Sequence, residues 1–150
     1  MGEIDRRLAE LGITLPQAAK PVANYVPWVR TGNLLYISGT GPSDDMPRGK
    51  LGADLTLEQG YAGARSVGLQ IIATAKQALG DLDRVKRVVK ILGMVNSAPT
   101  FGDQPKVING CSDLMVEVFG DAGKHARSAV GVYKLPLGFA VEIDAIVEIR

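Results

Sequence analysis

Residues 56–80, TLEQGYAGARSVGLQIIATAKQALG, contain the longest regular pattern in the chain. Thr56 followed three residues later by Gln59 is a capping box, which satisfies free backbone N–H groups at the start of a helix. Apolar and small residues then recur at helical spacing as far as Gly80, a residue typical of a helix end. The stretch therefore predicts one long helix. Its many small residues predict close packing against a sheet: Ala62, Gly63, Ala64 and Gly68.

Outward from this helix, the chain alternates between strand-like and helix-like segments. The patterns predict strands at 25–29, 34–39, 85–95, 128–134 and 140–149, and further helices at 3–11 and 105–119. The resulting order is typical of an α+β fold. We expect a mainly antiparallel sheet with two long helices on one face. We also expect a single domain over 1–150, in which residues 1–23 form a short helix and a connector.

The composition is that of an ordinary globular domain. Hydrophobic residues make up 46% of the chain, charged residues 22%, and the net charge is +1. This balance gives no electrostatic reason to expect binding to nucleic acid. No apolar run approaches the ~20 residues that a membrane span needs, and the charged N-terminus does not resemble a signal peptide. We therefore expect a cytoplasmic protein that does not bind membranes.

Few side chains are available for metal or nucleophilic chemistry. The chain has one cysteine, Cys111, and one histidine, His125, which together cannot supply a structural zinc set. Cys111 falls within the second long helix and is expected to be a small core residue. We expect His125 to cap or pack near that helix. The sequence predicts neither a metal site nor an organic cofactor.

Three short motifs carry a resemblance to a known family. Residues 126–136 read ARSAVGVYKLP, an almost wholly apolar segment with Arg127 at its head, and residues 141–145 read VEIDA. An earlier segment, residues 32–39, reads GNLLYISG. With these motifs at these separations, the chain from Tyr25 to its C-terminus resembles the RidA family, also called the YjgF or L-PSP family.

The resemblance implies a chorismate-mutase-like fold, a homotrimer and ligand sites in clefts between subunits. Members of this family hydrolyse reactive enamines and imines, such as 2-aminoacrylate, to a 2-keto acid and ammonia. Others have been described as ribonucleases or translation inhibitors, and some only as ligand binders. The family's carboxylate-binding arginine falls on Arg127, and its water-orienting glutamate falls on Glu142. The other substrate-binding positions fall on Tyr25, Ser38, Gly39 and, if one residue is gapped, Asn109.

The chemistry of these residue types fits the implied reaction. A planar guanidinium can hold a carboxylate in a bidentate fork, as a 2-imino acid would require. A carboxylate such as Glu142 can orient and deprotonate the attacking water. Three features depart from the family pattern: Ala129 replaces a cysteine two residues after the arginine, the N-terminus is longer, and the loop from Gly41 to Ala53 is longer. Because this loop differs, the resemblance does not identify the substrate.

Spacing along the last two strands predicts how Arg127 and Glu142 are related. If residues 135 and 140 close a hairpin, Glu142 lies opposite Tyr133, and Arg127 is six residues further along that strand. At ~3.3 Å per residue, this places Arg127 roughly 20 Å away. Both side chains could then contact one small substrate only if they came from different subunits.

The same residues allow other interpretations. Arg127 could pair with Asp144, Glu142 or Glu148 at a subunit contact, and Glu142 could be a solvated surface acid. Tyr25 could simply pack. The scaffold could be a non-catalytic binder of small carboxylate metabolites, or a ribonuclease, which the neutral charge and the single histidine make harder to support.

Overall fold

The computed structural model describes residues 1–18, 20 and 23–150. Three helices and five strands follow one another as α1 (Glu3–Glu10), β1 (Trp28–Thr31), β2 (Leu34–Thr40), α2 (Leu57–Leu79), β3 (Val85–Asn96), α3 (Gln104–Phe119), β4 (Ala126–Val132) and β5 (Val141–Ile149). The predicted element types and their order are confirmed. The predicted connector includes residues 19, 21 and 22, which lie outside the described residues.

The strands form one mixed sheet in the order β1-β2-β5-β3-β4. All neighbouring pairs are antiparallel except β3 and β4, which are parallel. The predicted final hairpin is therefore wrong, because β3 lies between β4 and β5. The physical reason is the α3 crossover, which returns β4 parallel to β3 and beside it. The last strand then pairs with the other edge of β3.

The core lies between the sheet and the two long helices. Along β5, buried and half-buried residues alternate strictly, so one face of this central strand points towards the helices and the other does not. Large side chains that are fully buried in this layer include Leu35, Ile72, Ile91, Ile108, Leu114 and Ile143. This layer holds the strand ends, and hence the site, in fixed positions.

The long helix α2 begins as the sequence predicts. Thr56 accepts the backbone N–H of Gln59, and the Gln59 side chain accepts the N–H of Thr56. The small residues of α2 pack against α3 as well as against the sheet. A Cβ on Gly68 would press on Leu114 and Cys111 of α3, whereas one on Gly63 would make ordinary contact with Val141 of the sheet. Close approach of α2 to α3 therefore explains part of this pattern.

The short helix α1 is fastened to the turn that precedes β3. The Asp83 carboxylate accepts hydrogen bonds from the backbone N–H groups of Glu3 and Ile4, both at 2.9 Å. Lys76 of α2 pairs with Asp5 at 3.0 Å, and Leu8 is buried. The first turn of α1 thus receives its cap from a residue distant in sequence. Among the described residues, no helix combines the length and apolar character needed to cross a membrane.

Candidate active-site cleft

A cavity of about 840 Å³ opens where β2 ends and β5 begins. Four of the side chains or backbone positions predicted for the site line it together: Tyr25, Ser38, Gly39 and Glu142. Its walls also include Pro42, Asp44, Gln70, Thr74, Leu137 and Phe139. The cavity thus combines apolar walls with a few polar groups and one half-buried carboxylate, which is typical of small-molecule sites.

Gly39 and Glu142 lie in direct contact across the β2–β5 pair. The register shifts between Ile37 and Thr40, so that β2 contains one extra residue at a bulge. A Cβ built on Gly39 would lie 2.7 Å from Glu142 Oε2. The absence of a side chain at position 39 therefore leaves room for the carboxylate. β-Bulges often occur beside active sites, where they change the direction in which a side chain points.

Ser38, the other bulge residue, has its polar groups committed to the chain before β1. Its hydroxyl donates to the carbonyl oxygen of Val26 at 2.6 Å, and its N–H donates to that of Pro27 at 2.9 Å. Ser38 therefore holds the segment that carries Tyr25 at the cavity wall. Tyr25 is half-exposed there rather than packed in the core.

The surroundings of Glu142 make its carboxylate easier to protonate than that of an ordinary glutamate. Burial raises the pKa of Glu142 above its ordinary value, and the neighbouring charge of Asp144 raises it further. Burial also raises the pKa of Asp144, an effect that Lys90 partly opposes. A carboxyl group with a raised pKa is suited to exchanging protons with a reacting water.

Arg127 lies outside this cavity, at the edge strand β4. Its Nη1 donates to Ser112 Oγ at 3.1 Å, and its Nη2 donates to the carbonyl oxygen of Pro105 at 3.3 Å. Both partners belong to α3. No carboxylate in the described part of the chain lies within ion-pair distance of Arg127. The intrachain forms of the alternative ion pairs are therefore not observed; Glu148 instead pairs with Lys86 and Arg87.

Asn109 lies on the same stripe of α3 as the two partners of Arg127. Residues 105, 109 and 112 recur at helical spacing, so Asn109 lies between Pro105 and Ser112 on one face. It is half-buried and does not line the cavity. The predicted site residues thus fall into two groups: Tyr25, Ser38, Gly39 and Glu142 at the cavity, and Arg127 and Asn109 at the β4–α3 edge.

The structure adds one polar residue that the sequence analysis did not single out, Ser112. It bridges Arg127 and His125, whose Nε2 lies 2.8 Å from Ser112 Oγ. The expectation that His125 packs near the second long helix is confirmed. The spacing of residues 105, 109 and 112 was the available signal for Ser112, but their contact with Arg127 depends on the crossover that places β4 beside α3.

Cys111 is a core residue, as predicted. It is fully buried, and burial raises the pKa of its thiol to about 12. A thiol with such a pKa stays protonated at neutral pH and is a poor nucleophile. Among the described residues, no group of three His, Cys, Asp or Glu side chains could hold a metal ion.

The loop between Gly41 and Ala53 forms part of the cavity wall and is tied to the turn before β5. Arg48 lies over the Phe139 ring, 5.4 Å from its centroid, and the Gly49 N–H donates to the carbonyl oxygen of Gly138 at 2.9 Å. Leu137 in this turn has a φ of 58°. The loop that departs from the family pattern therefore shapes the cavity through Phe139 and Leu137.

Taken with its site, the fold defines an α+β domain with a mixed sheet, two covering helices and a carboxylate-bearing cleft at the strand ends. Residues 5–146 match the profile of the family described as "YjgF/chorismate_mutase-like, putative endoribonuclease". The chain belongs to this family, also called RidA or L-PSP, as the sequence motifs predicted.

Relatives and solved structures match nearly the whole chain. Protein TCP17 of Trypanosoma cruzi is 51% identical over 153 residues, covering 99% of this chain and 96% of that protein. A 2-iminobutanoate/2-iminopropanoate deaminase of Dermatophagoides farinae is 30% identical over 140 residues, with coverages of 92% and 95%. The crystal structure of Atu1372, a protein of unknown function from Agrobacterium tumefaciens, has a TM-score of 0.91 and 46% identity, covering 98% of this chain and 92% of that one.

Proposed function

We propose that this protein hydrolyses enamine and imine intermediates of the 2-aminoacrylate type to a 2-keto acid and ammonia. The observation that carries the proposal is the half-buried Glu142 carboxylate, with its raised pKa, facing a cavity beside the bulge at Gly39. Further support comes from the relative named as a 2-iminobutanoate/2-iminopropanoate deaminase.

Glu142 would act twice in this reaction. The enamine first gains a proton from solvent at its terminal carbon, which gives the protonated imine. The Glu142 carboxylate then takes a proton from water as the water oxygen bonds to the imine carbon and the C=N π electrons move onto nitrogen, which gives a neutral carbinolamine. The protonated carboxyl then returns the proton to the nitrogen as the C–N bond breaks. The hydroxyl group left on the carbon loses its proton to solvent water, and the products are a 2-keto acid and ammonia. A group whose pKa lies closer to neutrality performs both transfers more readily than an ordinary glutamate.

Arg127 would hold the substrate carboxylate. Its guanidinium has five N–H donors, of which the described contacts use two, and a carboxylate could bind to the remainder in a fork. Because this group lies away from the cavity of its own chain, the proposal places it in the cavity of a neighbouring chain. The site would then lie between subunits of a homotrimer.

The open face of the sheet, which points away from the helices, supports such an assembly. Five apolar or aromatic side chains lie on this face and remain partly or largely exposed in the single chain: Tyr36, Leu92, Met94, Val130 and Ile146. Burying exposed apolar area contributes about 25 cal/mol per Å². A contact between copies at this face would bury these side chains and bring β4 of one copy towards another.

Two other functions remain as competing candidates. A carboxylate-binding protein without turnover would use the same Arg127 contacts. The ribonuclease activity in the family description receives less support, because the single histidine is occupied by Ser112 and the Gly123 carbonyl group. The net charge of +1 also provides little attraction for RNA.

The direct test is to generate 2-aminoacrylate with a serine dehydratase and measure ammonia and keto-acid formation. The wild-type protein should exceed the rate in buffer, and Glu142→Gln should lower kcat by about 10²-fold or more. Arg127→Lys, which keeps the charge but loses the fork, should raise KM. No gain over buffer by the wild-type protein would reject the hydrolase proposal. Pyruvate binding that depends on Arg127 would then favour the binding protein.

A further inference from the structure

We infer that Ser112 and His125 are positioning residues for Arg127, an inference that rests on the carboxylate-binding role proposed for that guanidinium. The three side chains form one continuous array. His125 Nδ1 lies 2.6 Å from the Gly123 carbonyl oxygen, and Nε2 lies 2.8 Å from Ser112 Oγ. Ser112 Oγ in turn lies 3.1 Å from Arg127 Nη1.

The chemistry of the end groups fixes the direction of the two outer hydrogen bonds in this array, and a neutral His125 fixes the third. The Gly123 carbonyl oxygen can only accept, so His125 Nδ1 carries a hydrogen. The Arg127 guanidinium can only donate, so Ser112 Oγ accepts from it. The single hydroxyl hydrogen of Ser112 is then free to be donated to Nε2 of a neutral imidazole. All the contacts are satisfied at once by one tautomer of His125.

Local structure explains why these residues meet. His125 immediately precedes β4, and Arg127 is two residues further on, so strand alternation turns both side chains to the same face. That face is covered by α3, which supplies Ser112. A serine within a helix commonly turns its hydroxyl to a carbonyl group one turn back. The bond to His125 Nε2 instead keeps the hydroxyl hydrogen of Ser112 directed away from Arg127, with a lone pair facing the guanidinium.

The array would determine the plane in which Arg127 offers its free donors. Nη1 is held by Ser112 and Nη2 by the Pro105 carbonyl group, so two contacts on one helix orient the guanidinium. Each of these nitrogens retains a second N–H, and Nε retains its own. A carboxylate would meet a donor set that is already ordered, which lowers the entropic cost of binding. An arginine without the Ser112 contact would sample several rotamers.

The alternative is that these bonds simply fasten β4 to α3. In that case, breaking them would lower thermal stability and leave ligand affinity unchanged. A matched control is Tyr61→Phe, which removes the 2.7 Å hydrogen bond from Tyr61 Oη to Asp113 and so loosens the attachment of α3 to α2 without removing a partner of Arg127. Thermal stability and affinity are therefore measured on every variant.

The experiment measures KM and kcat for 2-aminoacrylate and the Kd for pyruvate, used alone as a carboxylate probe. Ser112→Ala and His125→Leu should each raise KM and the pyruvate Kd by about tenfold, the size of effect expected for one hydrogen bond in a charged network, with a smaller change in kcat. The double variant should be little worse than either single one, because the residues act in series. His125→Gln, whose amide oxygen can accept from Ser112, should recover affinity.

The outcomes separate this inference from the proposed function. If Arg127→Ala raises both constants while Ser112→Ala and His125→Leu match Tyr61→Phe, the inference is overturned and the function stands. If the wild-type protein neither turns over the imine nor binds pyruvate, both fail. A readout without activity is the ¹⁵N spectrum of His125, the single histidine of the chain. It should show the Nδ1–H tautomer, and the opposite tautomer would contradict the array.

Discussion

Arg127 and Glu142 lie on opposite faces of the same sheet. Arg127 is aligned through Ile91 with Ala145, and both of these partners are buried under the helices. Glu142 is three residues from Ala145 along β5, so its side chain points to the other face. The register places the two Cα atoms about 14 Å apart, from three residues along the strands and two strand spacings across. One small substrate could not contact both side chains of one chain.

Subunit mixing tests whether two chains complete one site. Alone, Arg127→Ala and Glu142→Gln should each turn over little 2-aminoacrylate at low substrate concentration, because each lacks one half of every site. In trimers formed from equal amounts of the two, about a quarter of the interfaces should combine an intact Arg127 with an intact Glu142. Co-expressed trimers purified through both tags exclude the homotrimers, so they have one productive interface in three and should recover about a third of wild-type activity. Recovery of none, or a monomeric mass by light scattering, would contradict a shared site.

Gly39→Ala should separate activity from stability. The new Cβ would lie 2.7 Å from Glu142 Oε2, at the free end of a side chain that can rotate away. We expect little change in melting temperature but a fall of about 10²-fold in kcat, because the carboxylate no longer faces the reacting atoms. Gly102→Ala is the control, since its Cβ would meet nothing within 4 Å. Unchanged turnover in Gly39→Ala would mean that the observed position of Glu142 is not used.

Asp144→Asn should change the pH dependence of turnover. Glu142 must be ionised to accept a proton from water, so kcat/KM should rise with pH through its pKa. Burial and then the charge of Asp144 raise this pKa. Removing that charge lowers it, and the acid limb of the profile should move to lower pH. Glu148→Gln, at the far end of β5 beside Lys86 and Arg87, should leave the limb in place. A limb that moves upward in Asp144→Asn would contradict this assignment.

The elements could be predicted from the sequence, whereas one strand pairing could not. The spacing of apolar residues and the capping residues predicted each α-helix and strand, because helix and strand formation leaves a local pattern in the sequence. Proximity along the chain suggested that β4 and β5 pair. However, β4 returns from α3 beside β3, and nothing local to residues 126–149 records that crossover. The prediction that Arg127 and Glu142 need two subunits stays untested, but its geometric basis is now opposite faces rather than a 20 Å separation along one hairpin.

Only those residues of the candidate site that belong to the family motifs could be predicted from the sequence. The resemblance named Tyr25, Ser38, Gly39 and Glu142, and the structure brings all four to one cavity. Ser112 was not predicted as a site residue, because its role depends on Arg127 and His125. A helical pattern does not reveal partners that are distant in the sequence. The contact between Arg48 and Phe139 was not predicted for the same reason, since it joins a loop to a turn 91 residues later in the sequence.

Gly110→Ala should disrupt the contact between α2 and α3. A Cβ at this position would overlap the backbone carbonyl group of Tyr61, which cannot rotate away. We expect the free energy of unfolding to fall by about 3 kcal/mol, as for severe overpacking of a close helix contact. Chemical denaturation measures this directly. Gly63→Ala is the matched control, because its Cβ would make an ordinary 3.8 Å contact with Val141. Equal stability of the two variants would contradict the close approach at Gly110.

Asp83→Ala should release α1 from the domain without unfolding the sheet. The Asp83 carboxylate caps the helix through the N–H groups of Ile4 and Glu3, and these bonds hold its pKa below the ordinary value. The stabilisation is therefore present at pH values above the unfolded-state pKa and is lost as the pH falls through the lowered, folded-state pKa. Protection factors of the α1 amides, which correct for the intrinsic pH dependence of exchange, should fall in Asp83→Ala at neutral pH and in the wild-type protein only in acid.

The control for this cap is Asp121→Ala. Asp121 is an exposed acid whose ion pair in the described part of the chain is with Lys124, at 3.3 Å, within one turn. Its removal should leave exchange in α1 at wild-type rates, since it contacts neither Glu3 nor Ile4. If α1 remained protected in Asp83→Ala, the burial of Leu8 and the Lys76–Asp5 pair would be sufficient to hold the helix. The carboxylate cap would then contribute little, and acid should not release α1 ahead of global unfolding.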